Sequence, residues 1–439
     1  MYDIADAAWK PPWDGEQAMS APKGSIAAAA GGSDRLHGLD AVRGYALMLG
    51  ILYHATMSYL PGQPIWVVED THKSLLLSGV FYVSHMFRMT IFFLIAGFFG
   101  HMVVEKRGVK AWVKDRAKRI ALPLVVGWPI LFGLILAATV YGVYASTGHI
   151  PTAAEHAVAA ATAPKPPPLA FPLTHLWFLY LLLWLYAATL ALRAAVNRLD
   201  AGGRVRKAAD TALAAVIESP FAPAVVAIPA TLAFLFGGPW RGWFGVMTPD
   251  SSLLPNVEAL VAYFTAFGLG WLINRHAGLM NIFARRWPLN LALALGLTAA
   301  CLALVGVEPR VDIFPLGTKT IAYAAAYSVA TWSWTFAAIG LSLTFLAGES
   351  RVRRYIADSS YWLYLIHLPL VMALQAAVVK LDLPAEVKIL IVLGVAFPLM
   401  FASYQLMVRR TFIGAILNGR RAPKTVKHPA VAAHPEPAE

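Results

Sequence analysis

An arginine and a histidine that could act on a substrate lie eleven positions apart in the apolar stretch Leu39–Tyr59. At about 1.5 Å of rise per helical residue, His54 lies about 16 Å further along the helix than Arg43. Eleven steps of about 100° return to nearly the same face, so both side chains point in one direction. In a membrane-spanning helix, ionisable groups at this depth are costly and mark a functional site. A histidine there is well suited to general-base activation of a hydroxyl.

A second arginine, Arg88, lies inside the next apolar segment, about 13 Å below the end near Gly79. His54 lies about 12 Å below the outer end of its own helix, near Gly62. The two groups are therefore expected at similar depth in the membrane. A buried guanidinium needs a carboxylate, a cluster of carbonyls or an anionic ligand. Arg88 is therefore a candidate catalytic residue, with a static clasp between helices as the alternative. His85, three positions earlier, is a candidate second polar partner and substrate contact.

Two further arginines, Arg116 and Arg119, end the basic loop predicted for residues 105 to 119. Because they are three residues apart at the start of a helix, both can point into one cavity. Planar guanidinium groups bind phosphate and carboxylate well, so this pair is a candidate site for a phosphorylated or carboxylated donor.

Two more histidines in later apolar segments are candidate substrate contacts. His175 lies at the outer end of its segment, two residues before Trp177, and this pairing is typical of residues at a membrane interface. His367 lies two residues before Pro369, whose missing N–H leaves a backbone carbonyl free. A helix kink stabilised by His367 is the alternative interpretation.

Several common chemistries have no motif in the chain. The sequence has no Gly-x-Ser-x-Gly elbow, no Walker loop and no His-Glu-x-x-His pair, so serine-triad hydrolysis, nucleotide-driven pumping and zinc chemistry are unsupported. Its one cysteine, Cys301, offers neither a disulfide nor a cysteine-based metal site. We therefore expect no metal site and no bound cofactor.

The composition indicates a polytopic membrane protein of the all-α class. Of 439 residues, 58% are hydrophobic and 14% are charged, against about 25% charged in typical soluble domains. The net charge of +12 comes from basic residues that cluster in alternate loops, which favours a lipid bilayer and not nucleic acid as the partner. Ten apolar segments are long enough to span a membrane. They are residues 41 to 62, 79 to 104, 120 to 146, 174 to 196, 221 to 238, 254 to 274, 288 to 306, 319 to 347, 360 to 380 and 387 to 408.

The charge asymmetry predicts that both termini are cytosolic. Residues 1–38 are expected to form a disordered cytosolic tail, residues 39–410 a single membrane domain, and residues 411–439 a basic, disordered cytosolic tail.

Several segments resemble the membrane acyltransferase 3 family, and within it the glucan biosynthesis protein C group. Arg43 followed by ten residues and His54 resembles the family's Arg-x10-His signature. Phe92–Phe98 resembles its second motif, with Ala96 where serine is common. Arg116 and Arg119 resemble its arginine pair at the inner face. Further matching stretches are Leu39 to His54, His85 to Phe99, Arg116 to Pro123, His175 to Leu179 and Ser360 to Pro369.

The resemblance implies a ten-helix enzyme of the bacterial inner membrane that uses acyl-CoA, such as succinyl-CoA or acetyl-CoA, as its donor substrate. It implies transfer of the acyl group to a hydroxyl of a periplasmic glucan or other glycan. By the same resemblance, His54 is the catalytic histidine with Arg43 as its motif partner, and Arg116 with Arg119 contacts the donor. Arg88 and His175 match positions specific to the group.

Two other functions are compatible with the same residues. A glycan or polyanion transporter would line its path with Arg88 and the histidines and would consume no acyl-CoA. A noncatalytic membrane scaffold would use these groups only for stability.

Overall fold

The computed structural model describes residues 32–153, 155 and 165–419, and within these ranges the chain is helical, as predicted. Twelve α-helices are described there. They are α1 Gly32–Thr56, α2 Leu75–Arg116, α3 Leu122–Thr147, α4 Trp177–Leu199, α5 Arg204–Glu218, α6 Ala222–Phe236, α7 Val257–Arg275, α8 Met280–Val305, α9 Thr318–Phe345, α10 Arg351–Val378, α11 Ala385–Ser403 and α12 Phe412–Leu417.

Six helical segments within the described ranges are long and apolar enough to cross a membrane, or up to seven if the bent pair α5 and α6 counts as one span. Each of the ten predicted segments overlaps a helix, and the number of ten spans stays a prediction. The numbers differ because α2 and α3 form one continuous run, while α6 has only 15 residues. In addition, α1 and α9 carry many of the polar residues of the interior, which lowers their hydropathy.

The predicted basic loop of residues 105 to 119 is helical instead of irregular. α2 continues to Arg116, with a kink at Gly108, where φ is +77°. A π-helical turn, Ala117–Ala121, then leads directly into α3. Lysine and arginine are good helix formers, so a basic segment between two long helices can continue the helix. This geometry brings Arg116 and Arg119 to the beginning of α3.

The helical part extends beyond both predicted bounds of the membrane domain. α1 begins seven residues before residue 39, and Ser342 Oγ donates a hydrogen bond of 2.6 Å to the Gly38 carbonyl. At the other end, α12 lies in the predicted C-terminal tail and buries Leu417. Both extensions depend on contacts with other helices, which composition does not reveal. Residues 1–31 and 420–439 of the predicted tails lie outside the described residues.

The helices α2 and α7 approach each other closely through glycines. A Cβ atom added to Gly97 would lie 1.9 Å from the Phe267 carbonyl oxygen, and one added to Gly270 would lie 1.9 Å from the Leu94 carbonyl oxygen. Only glycine fits at such contacts. The two helices therefore form a tight wall on one side of α2, and Ala96 on α2 faces the interior cavity described below.

A fully buried ion pair fixes the connection between α1 and α2. Lys388 Nζ lies 2.8 and 2.7 Å from the two carboxylate oxygens of Asp70, and neither side chain has any exposed area. Lys388 also donates to the Val379 carbonyl at 3.2 Å. Nearby, Ser74 Oγ donates to Glu386 Oε1. These bonds hold the second half of the connection, Val68–Ser74, against the start of α11.

Candidate active site

One cavity of about 460 Å³ lies inside the bundle, bounded mainly by α1, α2, α4 and α10. It has an arginine end, formed by Arg43, Arg116 and Arg119, and a histidine end, formed by His54, Arg88, His175 and His367. Seven of the eight site residues predicted from the sequence thus line one cavity, although they come from five separate parts of the chain. Their individual roles remain predictions.

At the arginine end, two of the guanidinium groups share one carboxylate. Asp115 Oδ2 lies 2.9 Å from Arg116 Nη2, and its Oδ1 lies 3.0 Å from Arg119 Nε. Arg43 pairs with Asp40 at 3.2 Å and donates to the Ala357 carbonyl at 3.4 Å. Asp358 also lines the cavity, so the arginine end combines three guanidinium groups with neighbouring carboxylates. Such a cluster can bind the phosphates of an anionic ligand.

At the histidine end, three imidazole rings lie in one group. The ring centroid of His367 is 5.2 Å from that of His54 and 5.3 Å from that of His175. Within the described ranges, no three His, Cys, Asp or Glu side chains are arranged to hold a metal ion. The group therefore consists of neighbouring imidazoles that can each offer a donor or an acceptor to a bound molecule.

Pro369 explains how α10 positions two of these rings. A proline cannot donate to the carbonyl four residues earlier, which here is that of Leu365. His175 Nε2 donates to this carbonyl at 3.0 Å, while His367 Nδ1 donates to the Tyr364 carbonyl at 2.7 Å. Both bonds fix a tautomer, because a carbonyl can only accept. The carbonyl that Pro369 leaves free is thus bonded by His175 and not by His367, and both side chains line the cavity.

His54 differs from the other two histidines because its ring is not held by the backbone. Among the described residues neither of its nitrogens has a hydrogen-bond partner, and its Nδ1 is buried. The adjacent Tyr53 ring packs edge-on at a centroid distance of 4.8 Å. Of the three imidazoles at this end of the cavity, His54 is therefore the one whose ring makes no hydrogen bond to a described residue.

Arg88 is only 5% exposed and forms no ion pair with any described carboxylate. Its Nη1 is buried without a hydrogen-bond partner, and its Cζ lies 4.1 Å from the centre of the Tyr53 ring. Gly50 on α1 packs against it, and a Cβ there would lie 3.4 Å from Arg88 Cδ, at ordinary contact distance. A cation–π contact compensates little of the cost of burying a charge. The partner needed for a static clasp is absent from the described residues, so Arg88 is placed to receive an anionic group.

The position of His85 does not fit the predicted substrate contact, because this side chain does not line the cavity. Its ring stacks on Tyr53 at 5.3 Å and on Phe81 at 5.9 Å, behind the ring that Arg88 touches. Helix periodicity places His85 one turn from Arg88. It does not show that the bulky Tyr53 ring lies between His85 and the cavity.

Sequence reasoning missed several residues around these groups. Tyr53 carries the cation–π contact with Arg88, and Asp115 shares its carboxylate between two arginines. Tyr364 holds the loop before α4 by donating to the His175 carbonyl at 2.7 Å. Asp115 was recognisable, since it stands four residues before Arg119 and thus on the same helix face. The tyrosines gave no distinguishing signal, because aromatic residues are common throughout the apolar segments.

A family model described as an acyltransferase domain, of the acyltransferase 3 type, matches residues 36–406. The chain belongs to the acyltransferase 3 family. This assignment supports a membrane acyltransferase, as the sequence motifs predict. The match begins just before the arginine end of α1 and includes every residue of the cavity named above.

Curated relatives match a shorter part of the acyltransferase. Glucans biosynthesis protein C of Shigella dysenteriae serotype 1 (strain Sd197) is 33% identical over 99 residues, which is 23% of this chain and 25% of the relative. The proteins of the same name from Escherichia coli strains SMS-3-5 and K12 are 33% and 32% identical over equally long stretches. The matched region thus covers about a quarter of these relatives. No solved structure matches the chain.

Proposed function

We propose that this acyltransferase moves an acyl group, such as succinyl or acetyl, from cytosolic acyl-CoA to a hydroxyl of a periplasmic glucan or other glycan. The observation that carries the proposal is the single cavity that joins the arginine end to His54 and Arg88. The proposal includes ten membrane spans with cytosolic termini in the bacterial inner membrane. The strongly basic residues 105 to 119 end at the arginine end of the cavity, which favours a cytosolic position for that end.

The donor would bind along the length of the cavity. Its phosphates would contact Arg43, Arg116 and Arg119, and its extended pantetheine arm would carry the thioester toward His54, about 16 Å further along α1. Phenylalanine and leucine side chains of α2 and α4 line the space between these ends and exclude water from the arm. The order of charged and apolar regions along the cavity thus matches the order of charged and apolar parts along an acyl-CoA.

The reaction itself needs one base and one stabilising cation. The acceptor oxygen attacks the thioester carbonyl carbon while His54 takes the hydroxyl proton. A carbon–oxygen bond forms, the carbon–sulfur bond breaks, and the proton returns to the sulfur so that CoA leaves as a thiol. Arg88 would stabilise the developing oxyanion or, with a succinyl donor, its distal carboxylate. A relay through an acyl-His54 intermediate has the same overall balance in two steps.

Thioester turnover by the purified protein in detergent separates this function from transport. We expect acyl-CoA to be consumed and free CoA thiol to appear at equal rates when a glucan acceptor is present. Movement of glycan across vesicle membranes without any consumption of acyl-CoA would instead establish the transporter.

The variant Arg116→Gln with Arg119→Gln should raise the KM for acyl-CoA more than it lowers kcat, because these groups bind the part of the donor that does not react.

A further inference from the structure

The connection between α1 and α2 lies next to the histidine end of the cavity. No residue of this connection lines the cavity, as far as the chain is described, yet the Trp66 ring lies 6.0 Å from the His54 ring. Trp66 is partly buried and packs against the cluster of Ile135, Ala138, Leu368 and Met372. It therefore lies next to His54, at the end of α1 opposite to Arg43.

The segment Pro61–Val67, here called the cover, is held much more weakly than the residues that follow it. Its one hydrogen bond among the described residues runs from Trp66 Nε1 to Gln375 Oε1, at 2.9 Å. Gly62 adopts φ +85° at its beginning, a conformation that favours glycine. Directly after the cover, Val68 is fully buried and packs so closely on α3 that a Cβ at Gly142 would lie 2.6 Å from it. The cover is thus held to the bundle by side-chain packing and one hydrogen bond, while Val68 after it is fully buried.

Gln375 connects the cover to His54. This glutamine is 1% exposed, and its Nε2 donates to the His54 carbonyl at 3.0 Å and the Ala55 carbonyl at 3.1 Å. These carbonyls belong to the last turn of α1, where the helix itself supplies no donors. One buried amide therefore fixes the helix end that carries His54 and also binds the indole of Trp66.

We propose that the acceptor reaches His54 from the outer side past Trp66, and that Gln375 is a positioning residue that latches this cover. The inference rests on the proposed function, because it concerns how the second substrate enters. A flat indole next to the base is also a suitable surface for the ring of a pyranose that presents its hydroxyl to His54. With the cover closed, water is excluded from the thioester.

The first test is the rate of acyl-CoA hydrolysis without acceptor, compared with the rate of transfer. Trp66→Ala should raise hydrolysis relative to transfer about tenfold, because water then reaches the thioester. Trp66→Phe, which keeps an aromatic ring but loses the hydrogen bond, should raise it about threefold. Trp128→Ala is the matched control, since Trp128 is also partly buried and its indole donates to a single carbonyl, of Pro172, at 2.9 Å. This control should behave like the native enzyme.

The second test does not depend on catalysis. A cysteine is placed in the cavity by Ala96→Cys, and intact cells are treated with a membrane-impermeant thiol reagent; the native Cys301 is buried. Labelling should become at least tenfold faster when Trp66→Ala is added, and it should not change with Trp128→Ala. Unchanged labelling together with an unchanged hydrolysis ratio in both Trp66 variants would overturn the inference. Absence of thioester turnover in the native protein would refute the proposed function. In that case the labelling rates alone would show whether Trp66 controls access to the cavity.

Discussion

Replacing His54 with alanine is expected to lower the rate of acyl transfer by about 10²- to 10⁴-fold, the range contributed by a positioned general base. The amount of protein in the membrane and its melting temperature should stay close to the native values. The reason is that neither ring nitrogen of His54 is bonded to any described residue, so its removal breaks no hydrogen bond. The measurements are CoA thiol release by the purified variant and its thermal unfolding in detergent.

His101 provides the matched control for His54. It is a buried histidine on α2 that does not line the cavity, and its Nδ1 is hydrogen-bonded to Asn274 Oδ1 at 2.8 Å. His101→Ala should cost stability through the lost bond and leave kcat almost unchanged. Near-native transfer by His54→Ala, or an equal loss of kcat in both variants, would contradict the assignment of His54 as the base.

Replacing Arg88 with methionine is expected to have opposite effects on activity and stability. Transfer should fall about 10- to 100-fold, because a hydrogen bond to a charged group contributes about 1.5–3 kcal/mol. The melting temperature should stay the same or rise, since the substitution removes a buried charge that has no counter-ion in the described chain. Both quantities are measured on the same purified sample.

The buried cation Lys388 gives the contrasting case for Arg88. It is fully paired with Asp70, so Lys388→Met leaves a buried carboxylate that keeps the hydrogen bond from the His72 backbone N–H at 2.8 Å but loses its cation. This change should lower the free energy of unfolding by about 3–5 kcal/mol. If Arg88→Met destabilised the protein to a similar extent and affected transfer only through loss of folded protein, Arg88 would be a structural clasp and not a ligand for substrate.

Periodicity within single helices predicted much of the candidate site. The eleven-residue spacing placed Arg43 and His54 on one face of α1, and both line the cavity. Equal depth in neighbouring helices brought Arg88 to the same end as His54. These predictions succeeded because rise and turn per residue are nearly constant in a helix, whatever surrounds it.

Contacts between helices could not be predicted in this way. Pro369 was expected to free a carbonyl, but only the packing of the loop before α4 against α10 shows that His175 takes it. The bonds of Gln375 to Trp66 and to the end of α1 join residues more than 300 positions apart. Such pairs depend on how each helix is rotated about its axis, which hydropathy leaves undetermined.

In the proposed function, this protein adds acyl groups to a glycan by using His54. The most direct measurement is the mass of periplasmic glucans from cells that contain the native protein, the His54→Ala variant or no protein. We expect added masses that correspond to an acyl group with the native protein alone, at equal amounts of native and variant protein in the membrane. Identical glucan masses in all three cases, or acylated glucans with His54→Ala, would contradict the claim.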